Sequence, residues 1–490
     1  METTNFLPGI SPKLCGRAPK PQARILADKM RFIHSSGLSE LADLFKDWLP
    51  ASLLESELKK DRSRNRTYTC YATFWGFFSQ VLSPSTSCLE VVRQIQGKSV
   101  ELGRKAPSSA TAAYCNARKE LDFQGLEKVS QAVLSRLSAA APQSRLWLGR
   151  RVKVLDGTCI SLADTQANQN EYPQPSTQKE GCGFPAMKLV GSFSLETGAL
   201  EDYCEMPQKS HESRCLLELM KLFDKGDVAL TDRGFSSFLN IATLKSEGCD
   251  AVMRAHQRRK IDIRKGESLG EGDRLMAWSR PQRPKGFDED QWKDLPESLD
   301  IRVVAFEVRQ KGFRTRSITL VTTLTDPEAF PRQELIDLYM KRWSVELRIR
   351  DIKTTMGMEI LRCKSPKMVR KELLMFIIAH NLIRVLMIES LSHTRAELER
   401  VSFKATVDTL RQFRPYIIAA KSNKSMRDVI DNMIRIIAEG IVPERIDRSE
   451  PRAVKRRPKN YQLLTSPRSR MKVSERRRKT PPKQRATLLS

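Results

Sequence analysis

The stretch that decides the fold is YMKRWSVELRIRDIK, residues 339–353. Four of its residues are spaced so that they share one side of a helix: Tyr339, Arg342, Glu346 and Lys353. At about 100° per residue their side chains fall within an arc of roughly 60°. Apolar residues occupy the neighbouring arc. The stretch therefore predicts a helix that presents a phenol, two cations and a carboxylate along the edge of a protein core.

The same helix also has an ordinary explanation. Arg342, Glu346 and Arg350 form an i, i+4, i+8 ladder of alternating charge. Such ladders are commonly exposed salt bridges that contribute about 0.3 kcal/mol per pair. Taken alone, the stretch leaves both explanations open, and the rest of the chain has to be weighed with it.

The composition favours a polyanionic partner. The chain has 490 residues, of which 85 are Lys or Arg and 58 are Asp or Glu, so its formal net charge is +27. Charge of this sign attracts nucleic acid or an anionic membrane. The longest apolar run, residues 372–391, contains four titratable residues and predicts a buried helix rather than a membrane span. Nucleic acid is therefore the partner that we expect, with no membrane.

The cysteines argue against zinc. None of the ten forms a Cys-x-x-Cys pair, and the chain has only five histidines. Scattered cysteines without an export signal at the N-terminus indicate reduced thiols. We therefore expect a cytosolic protein. If it binds a metal, the ligands are expected to be carboxylates.

Two further carboxylates follow predicted strands. The run RVKVLDG ends at Asp156, and DVALTD ends at Asp232. Strands alternate with helices from about residue 150, which predicts a mixed α/β sheet with helices on both faces. The ends of neighbouring strands meet at one edge of such a sheet, and a helix across them can add Glu346. Each carboxylate alone has a simpler explanation, as a turn residue or a helix cap.

Three neighbouring carboxylates repel one another unless cations lie among them. Mg²⁺ and Mn²⁺ prefer oxygen ligands, and a pair of such ions suits phosphodiester hydrolysis. The cations beside Glu346 then fit as phosphate ligands. The combination of carboxylates, cations and net charge favours a metal-dependent site over a salt-bridge ladder.

These residues resemble those of the cut-and-paste DDE transposases of the insertion-sequence-four type. The carboxylate spacings are 232 − 156 = 76 and 346 − 232 = 114 residues, and the similarity runs from about residue 65 to about residue 460. The motifs that carry it are Asp156-Gly157-Thr158, Asp232-Arg233-Gly234-Phe235, and Tyr339, Arg342, Glu346 and Lys353 in the order Tyr-x2-Arg-x3-Glu-x6-Lys.

The resemblance implies a ribonuclease-H-like catalytic domain in which Asp156, Asp232 and Glu346 hold two Mg²⁺ ions, with Mn²⁺ as a substitute. It implies hydrolytic nicking at the ends of an insertion sequence, followed by attack of the freed 3′-hydroxyl on the opposite strand and then on target DNA. It further implies that a homodimer pairs two terminal inverted repeats of double-stranded DNA in a synaptic complex, on the nucleoid in a bacterial cytosol. The residues implied to contact DNA phosphates are Tyr339, Arg342, Lys353 and Arg233.

An aromatic residue of the insertion is also expected to stack on a flipped base. Trp278 and Trp292 are the candidates, although each is equally well explained as a core residue. Two other functions remain open: a DNA-binding protein of transposase ancestry without catalysis, and a structure-selective nuclease of the same fold.

The predicted organisation has six parts. They are a helical DNA-binding region (1–148), the first part of the catalytic domain (149–255), a β-rich insertion (256–325), the rest of the catalytic domain (326–365), a C-terminal helical region (366–442) and a basic, mostly disordered tail (443–490).

Overall fold

The computed structural model describes residues 39–58, 67–83, 87–101, 105–210, 215–283, 287–308, 317–420 and 422–443, and the single positions 85, 103, 464, 466, 467 and 470. The predicted basic tail therefore lies almost wholly outside the described residues. The chain divides into two compact units. One comprises 1–136, 385–397 and 401–440, and the other comprises 137–384, 398–400 and 441–490.

Helices and strands alternate in the order that the hydrophobic pattern predicts for the middle of the chain. The helices are α1 (Ser39–Leu44), α2 (Ala51–Glu57), α3 (Cys70–Leu82), α4 (Cys88–Glu101), α5 (Ala112–Glu120), α6 (Phe123–Ala140), α7 (Gln166–Glu171), α8 (Cys215–Leu219), α9 (Phe238–Ser246), α10 (Glu289–Lys293), α11 (Arg332–Lys341), α12 (Ser344–Arg350), α13 (Pro366–Ser390), α14 (Phe403–Ala419) and α15 (Asn423–Glu439). The strands are β1 (Val152–Leu162), β2 (Ala186–Ser194), β3 (Leu200–Pro207), β4 (Val228–Thr231), β5 (Asp250–Arg254), β6 (Glu267–Gly270), β7 (Asp273–Ser279), β8 (Ser298–Glu307), β9 (Ser317–Thr322) and β10 (Ile360–Leu361).

All ten strands form one mixed sheet. Its order is β3-β2-β1-β4-β5-β9-β8-β7-β6, and β10 also pairs with β1. Strands β1, β4 and β5 are parallel, whereas β2 and β3 run antiparallel to their neighbours. The central strand β4 is buried at every position, as expected for a strand covered on both faces. This arrangement confirms the predicted mixed α/β fold class.

The segment between β5 and α11 lengthens this sheet. Strand β9 pairs with β5 through Val252 and Thr322, and β8, β7 and β6 follow it outward. One ion pair is buried inside this segment: Arg302 donates from Nε to Asp273 Oδ1 at 2.9 Å and from a terminal nitrogen to Oδ2 at 2.6 Å. Their side chains are 1% and 2% exposed. The insertion is therefore part of the same rigid sheet and has a charged pair at its centre.

The most apolar helix, α13, is mainly internal. Residues 366–393 are long and apolar enough to cross a membrane by length and composition, but 89% of the apolar window is buried within the protein. That burial agrees with the sequence-based prediction of a core helix.

One residue of α13 makes stability depend on pH. His380 is fully buried, and burial, together with the charges of Arg384 and Arg348, lowers its pKa to about 3. The unfolded chain takes up a proton near the ordinary pKa of 6.5 while the native state does not, so stability falls as the pH drops below 6.5. We expect a loss of up to about 1.4 kcal/mol per pH unit through this residue between roughly pH 6 and pH 4.

Urea unfolding at several pH values measures this loss. The difference in slope between the wild type and His380→Gln isolates the contribution of this residue from that of the carboxylates. His393→Gln is the control, because His393 is exposed. Equal slopes in the wild type and His380→Gln would contradict the prediction.

Candidate active site

The sheet brings the two predicted aspartates together. Strands β1 and β4 are parallel and pair through Leu155 and Thr231. Asp156 and Asp232 directly follow this pair in the sequence, so they lie side by side at the point where β4 ends. Both strands are fully buried up to this row, and both aspartates are only partly buried. The change from apolar to acidic residues in the sequence therefore marks the edge of the core.

Glycines after the two aspartates fix the carboxylates. The N–H of Gly157 donates to Asp156 Oδ1 at 2.8 Å, and the N–H of Gly234 donates to Asp232 Oδ1 at 2.8 Å. A Cβ atom at Gly234 would lie 3.1 Å from that same Asp232 oxygen. The glycine that follows each aspartate, directly or after one residue, thus allows a backbone N–H to approach and orient the carboxylate.

The stretch 339–353 departs from the single regular helix that its spacing predicts. Helix α11 ends at Lys341, and α12 begins at Ser344. At the start of α12 the N–H groups of Val345 and Glu346 donate to carbonyls three residues earlier, at the junction of the two helices. This is a tighter turn than an α-helix makes. A π-helical turn, Asp351–Thr355, follows α12 directly. The predicted regular helix was wrong in these details because side-chain spacing does not report backbone irregularity.

Arg342 lies at the junction and contacts two of the three carboxylates. One terminal nitrogen is 3.7 Å from Asp156 Oδ2 and the other is 3.5 Å from Glu346 Oε1. Its side chain is only 8% exposed, and its guanidinium lies 5.0 Å from the ring centre of Trp343. The predicted salt bridge along the helix is present, and the same guanidinium also connects the helix to β1.

Electrostatic interactions connect the three carboxylates. The pKa of Asp156 is raised to about 6, chiefly by burial and to a smaller extent by the charges of Asp232 and Glu346. The Gly157 N–H and the Arg342 guanidinium act in the opposite direction. Asp156 therefore lies within the electrostatic reach of both other carboxylates and of the cation between them.

Lys353 and Tyr339 are near this site but have protein partners. Lys353 Nζ donates to Thr158 Oγ1 at 3.1 Å and to the Cys159 carbonyl at 2.9 Å. These groups belong to the part of β1 that extends beyond β4. Tyr339 is 1% exposed, and burial raises the pKa of its hydroxyl. Each of the two would need to change its contacts to reach a phosphate.

Two further arginines are close by. Arg233 is exposed and donates to Gln257 Oε1 at 2.8 Å. Arg254, the last residue of β5, lies near enough to Tyr339 for its charge to lower the pKa of that hydroxyl. The sequence analysis did not select Arg254, although it directly follows the buried part of its strand, as Asp156 does in β1.

The two candidate stacking residues lie in the core. Trp278 and Trp292 are both 7% exposed and belong to one hydrophobic cluster. Trp278 is covered by the Arg259 guanidinium at 3.8 Å, and Trp292 packs against Phe287 with ring centres 5.9 Å apart. Their burial favours the alternative given above, that both are core residues.

The donor set fits hard divalent cations, although the side chains do not form a finished metal site. Among the residues that the structure describes, no three His, Cys, Asp or Glu side chains are arranged to hold an ion. Asp156, Asp232 and Glu346 supply only oxygen, which suits Mg²⁺ or Mn²⁺. The guanidinium of Arg342 lies between two of them. Convergence on a metal therefore requires this arginine to move.

Comparison with known proteins gives a family match over the same region. Residues 147–382, which contain all three carboxylates, match the family described as the transposase DDE domain. Over 413 residues the chain is 26% identical to the transposase InsG for insertion sequence element IS4 of Escherichia coli strain K12, covering 81% of this chain and 88% of that protein. The piggyBac transposase synaptic complex with hairpin DNA aligns with a TM-score of 0.44 at 10% identity, covering 83% of this chain and 86% of the other.

Proposed function

We propose that this chain, a DDE transposase of the insertion-sequence-four type, uses Asp156, Asp232 and Glu346 as the catalytic centre for cutting and joining DNA. The observation that carries the proposal is the parallel register of β1 and β4, which sets the two aspartates side by side. Glu346 joins them through the Arg342 guanidinium, which contacts both Asp156 and Glu346. The three residues come from segments far apart in sequence, which is unlike a surface ladder along one helix.

Divalent metal ions are general to DDE transposases. We propose that the three carboxylates hold two Mg²⁺ ions and that Mn²⁺ can substitute. When bound, such ions supply Lewis-acid activation of an attacking oxygen and stabilise charge on the leaving oxygen. The part of the protein is to orient the carboxylates, which the hydrogen bonds from the Gly157 and Gly234 N–H groups support.

The reaction is a phosphoryl transfer in several stages. Water attacks the phosphorus at an element end, a new P–O bond forms, and the 3′ oxygen leaves as a hydroxyl. In the second stage that hydroxyl attacks a phosphodiester of the opposite strand to give a hairpin, and the 3′ oxygen of the flanking DNA leaves. A second water opens the hairpin and restores the 3′-hydroxyl, which then attacks a phosphodiester of target DNA, from which a 3′ oxygen leaves. Arg342, Lys353, Tyr339 and Arg233 are proposed to hold phosphate oxygens near the scissile bond. Arg233 is the most accessible of them.

DNA is the partner, in keeping with the net charge of +27. We propose that the protein binds its terminal inverted repeats and target DNA as a homodimer in a synaptic complex. We also propose that it acts in the bacterial cytosol on the nucleoid.

Cleavage of defined DNA tests the proposal against its two alternatives. The purified chain is incubated with labelled duplexes that carry the element ends, with end-free duplexes of equal length and with branched DNA, each with Mg²⁺ or with a chelator. We expect metal-dependent nicking at the element ends. Binding without cutting would favour the non-catalytic DNA-binding protein, and cutting of branched DNA regardless of the ends would favour the structure-selective nuclease.

A further inference from the structure

We infer that Arg342 couples metal binding to DNA binding. Without DNA, its guanidinium lies between Asp156 and Glu346 as a substitute cation. When DNA binds, a backbone phosphate draws the guanidinium away, and the carboxylates become free to take up divalent ions. This inference rests on the proposed function of the three carboxylates and adds a mode of regulation to it.

The contacts of Arg342 are those of a loosely held ion pair. Its two nitrogen–oxygen distances, 3.7 Å and 3.5 Å, exceed the roughly 2.8 Å of a charge-assisted hydrogen bond. Its Nε atom is buried and has no hydrogen-bond partner among the described residues. The guanidinium carries five N–H donors in a planar fork. A phosphate, which matches that fork, would bind it better than the two carboxylates do.

When Arg342 moves away, neither carboxylate is left as a fully buried charge without a partner. The Glu346 side chain is 57% exposed, so water can solvate it once the arginine moves. Asp156 is 21% exposed and keeps its hydrogen bond from the Gly157 N–H. The conformational change therefore needs only side-chain movement at the junction between α11 and α12.

The charge at the site explains why metal affinity should change. Three carboxylates and one guanidinium give a local charge of −3 + 1 = −2, whereas three carboxylates alone give −3. The guanidinium also occupies the space between two ligands. Its withdrawal therefore strengthens the attraction for a divalent ion and clears the position that the ion would take.

Mn²⁺ binding, measured by electron paramagnetic resonance and calorimetry, tests the coupling without cleavage as the readout. The full chain is titrated with Mn²⁺ alone and in complex with an end duplex whose scissile linkage cannot be hydrolysed. Mn²⁺ bound by the duplex alone is subtracted, and so is Mn²⁺ bound by the complex of the Asp156→Asn, Glu346→Gln double variant. For the wild type we expect affinity about tenfold tighter with DNA than without.

Arg342→Gln should bind Mn²⁺ without DNA about as tightly as the wild type does with DNA, and DNA should add less than about threefold. Arg342→Lys, which keeps the charge but not the fork, guards against misfolding and should retain part of the coupling. Arg350→Gln is the matched control, because it removes an arginine from the same stretch, residues 339–353, that has no ion pair with the three carboxylates among the described contacts. It should keep the full tenfold response.

Two results would overturn the inference alone: equal Mn²⁺ affinity of the wild type with and without DNA, or a full response to DNA in Arg342→Gln. Absence of carboxylate-dependent Mn²⁺ binding by the wild type even with DNA would overturn the proposed catalytic centre itself. The two failures are therefore distinguishable.

Discussion

Replacing Asp156 with asparagine is expected to lower the rate of metal-dependent cleavage of element-end DNA by at least about 10³-fold. The substitution keeps the size and the hydrogen bond from the Gly157 N–H but removes the charge that would hold a divalent ion. Asp156 also contacts Arg342, and the charges of both other carboxylates act on its pKa. Single-turnover cleavage of a labelled duplex at saturating protein measures the rate.

Binding of the same duplex should persist in Asp156→Asn, because the many other cations of the chain remain. Asp164→Asn is the matched control. Asp164 is an exposed carboxylate two residues beyond the end of β1, where it accepts a hydrogen bond from Gln169. Its loss should leave cleavage within about threefold of wild type, since it lies outside the proposed ligand set. Wild-type cleavage by Asp156→Asn would show that the catalytic centre lies elsewhere.

The largest expected loss of stability comes from Asp273→Asn. This change removes the negative charge that faces the Arg302 guanidinium, and both side chains are almost fully buried. Breaking a buried pair from one side typically costs about 3–5 kcal/mol because the remaining charge is uncompensated. Arg302 would keep its hydrogen bonds to backbone carbonyls, including that of Phe330 at 2.7 Å, and the asparagine oxygen could accept one more, but no negative charge would face the guanidinium. Urea unfolding followed by tryptophan fluorescence measures the effect.

Asp262→Asn serves as the control in the same insertion. Asp262 pairs with Arg264 at the surface, where water solvates either partner alone, so its loss should leave the unfolding midpoint unchanged. A double change to Asp273→Leu and Arg302→Met should recover much of the stability, because no buried charge is left. A midpoint for Asp273→Asn equal to that of the wild type would contradict the prediction.

The sequence predicts the position of the aspartates well because burial and strand length are local properties. An apolar run that ends in Asp followed closely by Gly marks the point where the strand leaves the core, as at Asp156 and Asp232. The mixed α/β fold predicted from the same pattern is confirmed, and residues 147–382 match the transposase DDE domain. The spacing of Tyr339, Arg342 and Glu346 also predicts correctly that the arginine and the glutamate meet.

Other features depend on contacts between distant segments and could not be predicted in this way. Whether Trp278 is buried depends on how β7 pairs with β8 and on Arg259, which covers its ring. The partner of Lys353 is the free edge of β1, which exists only because β4 is short. The role of the proposed site residues as ligands for metal or phosphate stays a prediction that the variants above test.

The wide separation of the three carboxylates along the chain has a consequence during synthesis. A ribosome that has translated β1 and β4 has made Asp156 and Asp232, but Glu346 follows only after 114 more residues, which include the insertion strands. In the folded protein those strands pair with β5, and α12 packs on β1. A nascent chain therefore carries all three proposed ligands only after roughly 70% of its length has been made, and we expect premature termination within the insertion to yield a polypeptide that cannot cut DNA.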